Sequence, residues 1–267
     1  MGFRSVIVLA LLAIVISPAS AQVSASSTFN PRPFSTPPIV GAPYSAIQIS
    51  EHTQVLADGT HISQAATAPI HIYRDSAGRT RTERPFLAGA GIPSAVRETS
   101  SLIVIEDPVS GYQIVLDQVN RVAHRSTLPP LLGAPGTGRT ASGGTLTTAI
   151  APIGSQATAN QRPEFSSESL GASTIEGVMV QGTLTKTTYP AGAIGNDQPI
   201  VTTRETWLSP ELRLVILSKS SDPRTGDSIT ALSEINRAEP DPAVFQIPPG
   251  YEVVDETGPF TIKVTFP

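Results

Sequence analysis

The sequence predicts a mainly β protein, built as a curved antiparallel sheet or an incompletely closed β-barrel with one or two short helices. Residues 200–236 carry three β-type runs separated by turn signals at 209–211 and 222–226, which is typical of a three-stranded antiparallel meander. Residues 47–73 alternate apolar and polar side chains with a period of two, the pattern of a half-buried antiparallel sheet. Few segments show helical periodicity, so helices can cover little of the apolar face of this sheet.

The first 21 residues have the three-part pattern of a cleavable secretory signal peptide, with an apolar run at 6–16 and a small-residue site at 19–21. The apolar run is shorter than the roughly 20 residues that span a bilayer. Gln22 follows the cleavage site where a lipoprotein has a lipid-accepting Cys, which excludes an N-terminal lipid anchor. We therefore expect a periplasmic or secreted protein with no transmembrane segment after signal removal. Residues 22–43, rich in Pro and Ser, are expected to form a disordered leader.

The composition excludes several classes of function. The chain of 267 residues contains no Cys, so disulfides, thiol catalysis and Cys-based metal sites are excluded. A formal net charge of -4 with 15% charged residues does not indicate a nucleic-acid-binding protein. With 25 Pro and 21 Gly, the chain is rich in the residues that form turns between short strands.

The mature part is predicted to be a single β domain over residues 44–267, interrupted by a flexible insert at about 127–163. The insert consists mainly of Gly, Pro, Thr, Ser and Ala and has no periodicity. The first hairpin of the domain turns at Asp58-Gly59, a two-residue turn signal. A two-residue loop at this point would place Leu56 opposite His61.

A second hairpin is predicted at residues 75–78, where Gly78 can take the left-handed position of a three-residue loop. This register places Arg81 opposite Tyr73 and Glu83 opposite His71. Cross-strand pairs of this kind stabilise a sheet by about 0.2–1 kcal/mol each.

Two runs in the middle of the chain are apolar on both faces. They are residues 102–105 and 112–116, joined by a turn at 107–111. Because both faces are apolar, we expect central strands with something covering the second face. A further turn at 117–120 leads into a strand at 121–125.

The second half is predicted to contain two short helices among further strands. Residues 164–170, stopped by Gly171, have the pattern of one short helix. Asp241 is the expected N-cap of a one-turn helix ending at Phe245, which would cover the sheet edge. The remaining strands are predicted at residues 173–178, 183–189, 251–254 and 260–266.

The sequence predicts no catalytic, cofactor-binding or metal-binding residue. His52, His61 and His71 share the polar face of the first hairpin, but His61 and His71 would lie about 33 Å apart on one strand, too far for a single ion. Glu205, on the same strand face as Trp207, leaves an undetected hydrolase as an alternative. Neither a Gly-x-Ser-x-Gly elbow nor a P-loop occurs in the sequence.

What the pattern does predict is a large apolar sheet face that has to be hidden. The sheet can close over a side-chain-filled core, accept a partner, or hold a hydrophobic ligand such as an acyl chain. Alternation alone does not decide which of the two sheet faces points inward. The candidate lining of a hydrophobic groove is Ile47, Ile49, Ile103, Ile105, Val115, Trp207, Val215, Leu217, Leu232 and Phe245.

Several segments of the sequence resemble known protein families. The phrases at residues 73–81, 105–111, 190–196, 205–212 and 217–224 resemble a family of exported proteins of unknown function that is abundant in acidobacteria. The ending at 241–251, with the strand–Trp–turn–strand pattern around Trp207, distantly resembles lipoprotein-carrier-like (LolA/LolB-like) open β-barrels.

The second resemblance implies a curved, incompletely closed sheet and a protein that carries lipid or lipoprotein acyl chains, or that senses the state of the envelope. The sequence departs from that family because it has no strong N-terminal helix, no long helical lid and a foreign insert at 127–163. No functional residue is carried over by motif, and a shared fold does not by itself imply a shared function.

Three functions remain as hypotheses. The first is a non-enzymatic envelope protein that binds a hydrophobic ligand, such as a lipid or acyl chain, or a lipidated partner in an open β-barrel. The second is a protein-binding or sensory envelope module with a filled core and another envelope protein as its partner. The third is a hydrolase that uses Glu205. No cofactor is expected.

Overall fold

The computed structural model describes residues 23–30, 35–64, 69–85, 101–130 and 162–266. The predicted signal peptide and residues 131–161 of the predicted insert lie outside the described residues. The strands, in chain order, are β1 (Val23–Phe29), β2 (Tyr44–Val55), β3 (His61–Gln64), β4 (Ile70–Arg74), β5 (Thr80–Pro85), β6 (Ser101–Asp107), β7 (Tyr112–Asp117), β8 (Val122–Thr127), β9 (Glu164–Ile175), β10 (Val178–Tyr189), β11 (Ile200–Ser209), β12 (Leu214–Asp222), β13 (Gly226–Asn236), β14 (Glu252–Asp255) and β15 (Phe260–Phe266). A single turn of 3₁₀ helix spans Pro242–Phe245.

These strands confirm the predicted fold class, a mainly β chain in a curved sheet that does not close into a barrel. Thirteen strands form one sheet. Twelve of them follow the order β14-β8-β7-β6-β5-β4-β2-β13-β12-β11-β10-β9, and the thirteenth, β3, pairs with β2. Every pairing is antiparallel except that of β14 with β8. The remaining strands, β1 and β15, form a separate two-stranded ribbon.

The hairpin at residues 75–78 has the predicted register. Tyr73 lies opposite Arg81 and His71 opposite Glu83. Gly78 has a φ of 85°, the left-handed conformation that the three-residue loop requires.

The first hairpin is one residue out of its predicted register, because Val55 rather than Leu56 pairs with His61. The loop has three residues instead of two, closed by a 2.8 Å hydrogen bond from Leu56 N to Thr60 O. Gly59, at φ 84°, ends this loop in the left-handed conformation. A slip of one residue moves every side chain of β3 to the opposite sheet face.

The predicted helix at 164–170 is wrong, since this segment belongs to β9. The strand pairs with β10 along nearly its whole length, and these long-range hydrogen bonds outweigh a weak local helix signal. Gly171, expected to stop a helix, has a φ of 78° and lies next to the register shift between β9 and β10. The one-turn helix is confirmed, with the Asp241 side chain accepting a hydrogen bond from Ala243 N.

Two parts of the predicted leader, residues 23–30 and 35–43, are described. Residues 23–29 form β1, paired with β15. Residues 35–43 lie along the sheet, held at one end by Ser35 N, which donates to Pro130 O over 3.2 Å, and at the other by Gly41 N, which donates to Ser76 O over 2.9 Å. Prolines cannot join a β ladder, but the residues between them still hydrogen-bond to neighbouring loops.

Two hydrophobic clusters lie on opposite faces of the sheet. We call the face that the 3₁₀ helix covers the helix face and the opposite one the leader face. On the helix face, Phe245 packs against a cluster formed by Ile103, Ile105, Ile114, Leu116 and Ala123. The second cluster contains Tyr44, Ala46, Val178, Val180, Leu212, Ile216 and Leu232. Neighbouring residues of β4 separate the two clusters, because Ile72 packs against the second and Tyr73 against the first.

The central strands β6 to β8 are covered on both faces, as the sequence predicts. On their leader face the His124 ring stacks on Phe260 of the ribbon, with centroids 4.6 Å apart, and Phe260 stacks on Phe29 at 5.0 Å. The imidazole Nδ1 of His124 also lies 2.7 Å from Glu256 Oε1, a contact for which the sequence gives no signal.

Candidate functional site

Part of the predicted groove is a row of apolar residues on the helix face. Ile49, Ala231, Leu217 and Trp207 are direct cross-strand neighbours on β2, β13, β12 and β11. Ile49 is 36% exposed and Leu217 is half-buried, so this end of the row faces solvent. Trp207, next to the bulge between β11 and β12, is half-buried and packs against the second cluster. Residues directly opposite each other in a sheet have Cβ atoms about 4.5–5.5 Å apart, which makes the row continuous.

Other predicted groove residues lie in filled cores. Ile103, Ile105 and Phe245 are buried together in the helix-face cluster, and Leu232 is buried in the second cluster. Val115 is buried on the leader face.

The two remaining groove residues are Ile47, which is half-buried on the helix face of β2, and Val215, which is exposed at the bulge between β11 and β12. A polar break separates the solvent-facing row from the helix-face cluster, because His71 and Glu83 lie between Ile47 and Ile103 in one cross-strand register. The ten residues therefore do not line one continuous hollow.

Trp207 and Glu205 form a fixed pair at the end of the apolar row. The indole Nε1–H donates to Glu205 Oε1 over 2.6 Å, and Lys219 Nζ lies 3.4 Å from the same oxygen. The indole hydrogen bond is the main cause that lowers the pKa of Glu205 below its ordinary value. A carboxyl group that acts as a general acid needs a raised pKa. The carboxylate of Glu205 is therefore better suited to holding the indole in place than to donating a proton.

A cleft of about 430 Å³ lies on the leader face. Its walls are two proline-rich segments, residues 35–39 and 128–130, and its floor is Arg74, Thr80 and Glu106. The floor residues are direct neighbours on β4, β5 and β6. Ligand sites in proteins have volumes of about 300–1,000 Å³ and mostly apolar walls with a few polar groups.

The chain forms the cleft by bringing together segments about ninety residues apart in sequence. Ser35 ties the two walls, because its hydroxyl donates to Pro129 O over 2.8 Å. Gly78 allows the leader to approach, since a Cβ at this position would lie 2.9 Å from Pro38 Cβ. The sequence does not predict this site, because the composition of residues 22–43 is typical of a disordered leader. The one available signal was that Pro129 and Pro130 directly follow a strand, as Pro37 and Pro38 precede one.

Arg74 is a buried cation at the floor of the cleft, with 4% of its surface exposed. Its Nε donates to Ala42 O over 2.9 Å and its Nη2 donates to Leu212 O over 2.6 Å. The guanidinium carbon lies 4.7 Å from the centre of the Tyr44 ring, a cation–π distance. Burial lowers the pKa of Arg74 from its ordinary range, and the nearby positive charge of Arg213 lowers it further. Within the described residues, none of the ion pairs involves this guanidinium.

Two further observations concern metals and membranes. Among the described ranges, no group of three or more His, Cys, Asp or Glu side chains is placed to hold a metal ion. His52 lies opposite Gln64 and His71 opposite Glu83, so these histidines belong to different strand pairs. In the part of the chain that the structure covers, no helix has the length and apolar character needed to cross a membrane.

No protein-family model matches the chain, and no curated protein matches it in sequence. Similar solved structures include an uncharacterized conserved protein from Thermus thermophilus, at 10% identity, covering 80% of this chain and 91% of that one with a TM-score of 0.38. MucB in the MucA/MucB complex of Pseudomonas aeruginosa is similar at 12% identity over 77% of this chain and 56% of that one, with a TM-score of 0.34. A LolA superfamily protein from Nitrosomonas europaea is similar at 10% identity over 77% and 90% of the two chains, with a TM-score of 0.27. The distant resemblance to LolA-like proteins is therefore present among the structural neighbours, but at these TM-scores it supports no ligand or partner.

Proposed function

We propose that this protein is an exported, non-enzymatic binding protein of the cell envelope, and that it holds a small hydrophobic ligand in the leader-face cleft. The observation that carries the proposal is the cleft itself, about 430 Å³ between the proline-rich segments 35–39 and 128–130. Export to the periplasm or the cell exterior rests on the signal-peptide pattern of residues 1–21.

The cleft suits a hydrophobic ligand better than the interior of the sheet does. Both faces of β6 to β8 are already covered, and the residues of the helix-face cluster fill the space around Phe245. The cleft walls, by contrast, present proline rings, Ile39 and Leu128 to open space. Burying apolar ligand surface against such walls gains about 25 cal/mol per Å² of area removed from water. The apolar residues Ile49 and Leu217 remain a prediction for a longer ligand or a lipidated partner.

Native mass spectrometry after mild purification, with titration of a fluorescent fatty acid, tests the proposal. Ile39→Glu places a charge on the cleft wall, whereas Val40→Glu places it on the next residue, which is exposed and does not line the cleft. We expect Ile39→Glu to abolish uptake of the fatty acid and Val40→Glu to retain it, with similar melting temperatures. A wild-type protein that carries no lipid and takes up no fatty acid would reject the proposal.

The edge strand β9 favours a second candidate function, binding of an extended protein segment. All of its twelve residues but Ile175 are exposed, and the exposed fraction of Phe165 is 74%. No described strand pairs with its outer edge, so its backbone can accept a further strand from a partner. Phe165→Lys should then weaken capture of an envelope partner, whereas Met179→Lys, on the paired strand β10, should not. Equal capture by both variants would count against a partner at this edge.

A further inference from the structure

We propose that two copies of this chain associate through β9, with the two edge strands side by side and antiparallel, so that the sheets of the two copies become continuous. The inference rests on the second candidate function, since it identifies the partner at the same edge as a second copy of this chain. A two-fold axis through the middle of the strand pair relates the two copies, so each contributes the same surface.

The outer edge of β9 is open to pairing. β9 is the last strand of the sheet order, and no described strand lies on its other side. In an antiparallel strand every second residue directs its N–H and C=O to the same side, so about six of the twelve residues direct theirs outward. Proteins usually protect an edge with a very short strand, a Lys or a Pro, and the opposite edge strand, β14, has only four residues. β9 is long and contains neither Lys nor Pro.

The bulge in β9 favours one register for a second copy. Ser169 pairs with Thr183 and Gly171 with Gly182, so Leu170 is the extra residue. Even-numbered residues before the bulge therefore share a sheet face with odd-numbered residues after it. When two antiparallel copies of β9 overlap along their whole length, each residue before the bulge lies opposite a residue after it in the other copy. Because of the bulge, these opposite residues lie on the same face, and the two bulges meet at the two-fold axis.

This register brings exposed apolar side chains together. Phe165, 74% exposed, lies opposite Thr174 of the second copy, which is itself paired with Met179, 65% exposed. The backbones of Phe165 and Met179 are then about 10 Å apart on one face, and their long side chains can meet over the small Thr174. Leu170, 37% exposed, lies beside the two-fold axis and therefore beside the Leu170 of the other copy. Burial of this surface gains about 25 cal/mol per Å² of apolar area removed from water.

The charges at β9 are compatible with a second copy. Glu164 lies opposite Ile175 and Glu168 lies opposite a glycine, so no carboxylate faces another across the strand pair. At each end of the pair, Arg162 of one copy lies beside Glu176 of the other, because these residues directly flank the two ends of β9. Opposite charges at this position favour the antiparallel register.

The size of the contact sets the expected strength of the dimer. Twelve residues of each copy pair, whereas a standard-size interface has about 20–30 residues on each side. We therefore expect a reversible dimer with a dissociation constant of about 10–100 μM.

Sedimentation velocity of the full mature chain between about 1 and 300 μM measures this association. Phe165→Lys and Met179→Lys should each raise the dissociation constant at least about tenfold. Val253→Lys is the matched control, because Val253 is 45% exposed on β14, the opposite edge strand, and should leave the constant unchanged. All three side chains are exposed, so the variants should keep the wild-type melting temperature.

Cross-linking tests the register, since the chain has no Cys of its own. Ser166 lies opposite Ser173 of the second copy, where Cα atoms are about 4.5–5.5 Å apart, within the range of a disulfide. An isotopically labelled Ser166→Cys chain, mixed with a Ser173→Cys chain and treated with a mild oxidant, should give the mixed disulfide dimer. Either variant alone should not cross-link, because the two copies of Ser166 are about seven residues, or about 23 Å, apart along the strands. Equal cross-linking in the mixture and in each variant alone would overturn the register.

The outcomes separate this inference from the second candidate function. A chain that stays monomeric at every concentration, but captures another envelope protein unless Phe165→Lys is present, would overturn the second copy and leave the edge as a binding site. A dimer that Phe165→Lys leaves unchanged and that gives no mixed disulfide would overturn the inference as well. A monomer that captures no partner would overturn both.

Discussion

Replacing Gly182 with Ala tests whether the indole of Trp207 lies directly on β10. A Cβ at position 182 would lie 2.6 Å from Trp207 Cζ3 and 2.8 Å from Leu170 Cβ, distances that real Cβ atoms essentially never show. The φ of Gly182 is not in the left-handed region, so the backbone itself accepts Ala. Any loss of stability must then come from displacing the ring of Trp207 or Leu170 of β9.

The expected magnitude follows from two opposing terms. Overpacking by one methyl group costs about 1–3 kcal/mol, and the loss of Gly flexibility in the unfolded chain returns about 0.4–1 kcal/mol. We therefore expect Gly182→Ala to lower the free energy of unfolding by about 1–2 kcal/mol. At a urea dependence of about 2 kcal/mol per molar, the unfolding midpoint falls by about 0.5–1 M.

Fluorescence is a direct assay because Trp207 is the only tryptophan of the chain. The emission of the folded Gly182→Ala variant should shift to longer wavelength as the ring moves away from the sheet. Gly258→Ala is the matched control, since nothing lies within 4 Å of its Cβ position. Trp207→Phe, followed by circular dichroism, should reduce the cost of Gly182→Ala because the smaller ring leaves room. An unchanged midpoint with unchanged emission would refute the contact.

Two further predictions concern the pair at Trp207 and the helix-face cluster. Because hydrogen bonding from Trp207 lowers the pKa of Glu205 below its ordinary 4.5, the carboxylate adds stability above that pH and loses this contribution as the pH falls through the lowered value. Glu205→Gln should therefore lower the urea midpoint near neutral pH and approach the wild-type midpoint well below pH 4.5; the same difference at both pH values would contradict the pairing. Leu116 is 0% exposed, so Leu116→Ala should lower the free energy of unfolding in urea by about 2–5 kcal/mol. Val253 is 45% exposed, so the control variant Val253→Ala should lower it by less than about 0.5 kcal/mol. Similar losses in the two variants would show that the cluster is not a packed core.

The parts of the fold that the sequence predicts correctly are those set by local chemistry. The hairpin at 75–78 has the expected register because Gly78 can supply a positive φ and Asp75 closes the loop, accepting a 2.8 Å hydrogen bond from Arg79 N. The first hairpin differs from its predicted register by one residue, because the sequence pattern around Asp58-Gly59 fits a two-residue loop and a three-residue loop equally well. Residues 164–170 become a strand because their partner is β10, and no local pattern reports that pairing.

The candidate site also has one part that the sequence predicts and one part that it does not. The row of Ile49, Leu217 and Trp207 follows from alternation once the strand order is known, so the sequence contains most of that prediction. The cleft does not follow from any periodicity, since its walls at 35–39 and 128–130 have no side-chain alternation and meet only in the folded chain.

The position of the two cores explains why the proposed binding site lies outside the sheet rather than within it. A closed or half-closed barrel has one apolar interior, but here Ile72 and Tyr73 of β4 contribute to cores on opposite faces. On the leader face, residues 35–43 lie beside the sheet without joining it, because prolines cannot pair with strands. The gap left between these proline-rich segments and the cross-strand floor is the cleft, with Arg74 beneath it. Pairing of the leader with the sheet would fill that space, so the irregular leader is what leaves room for a ligand.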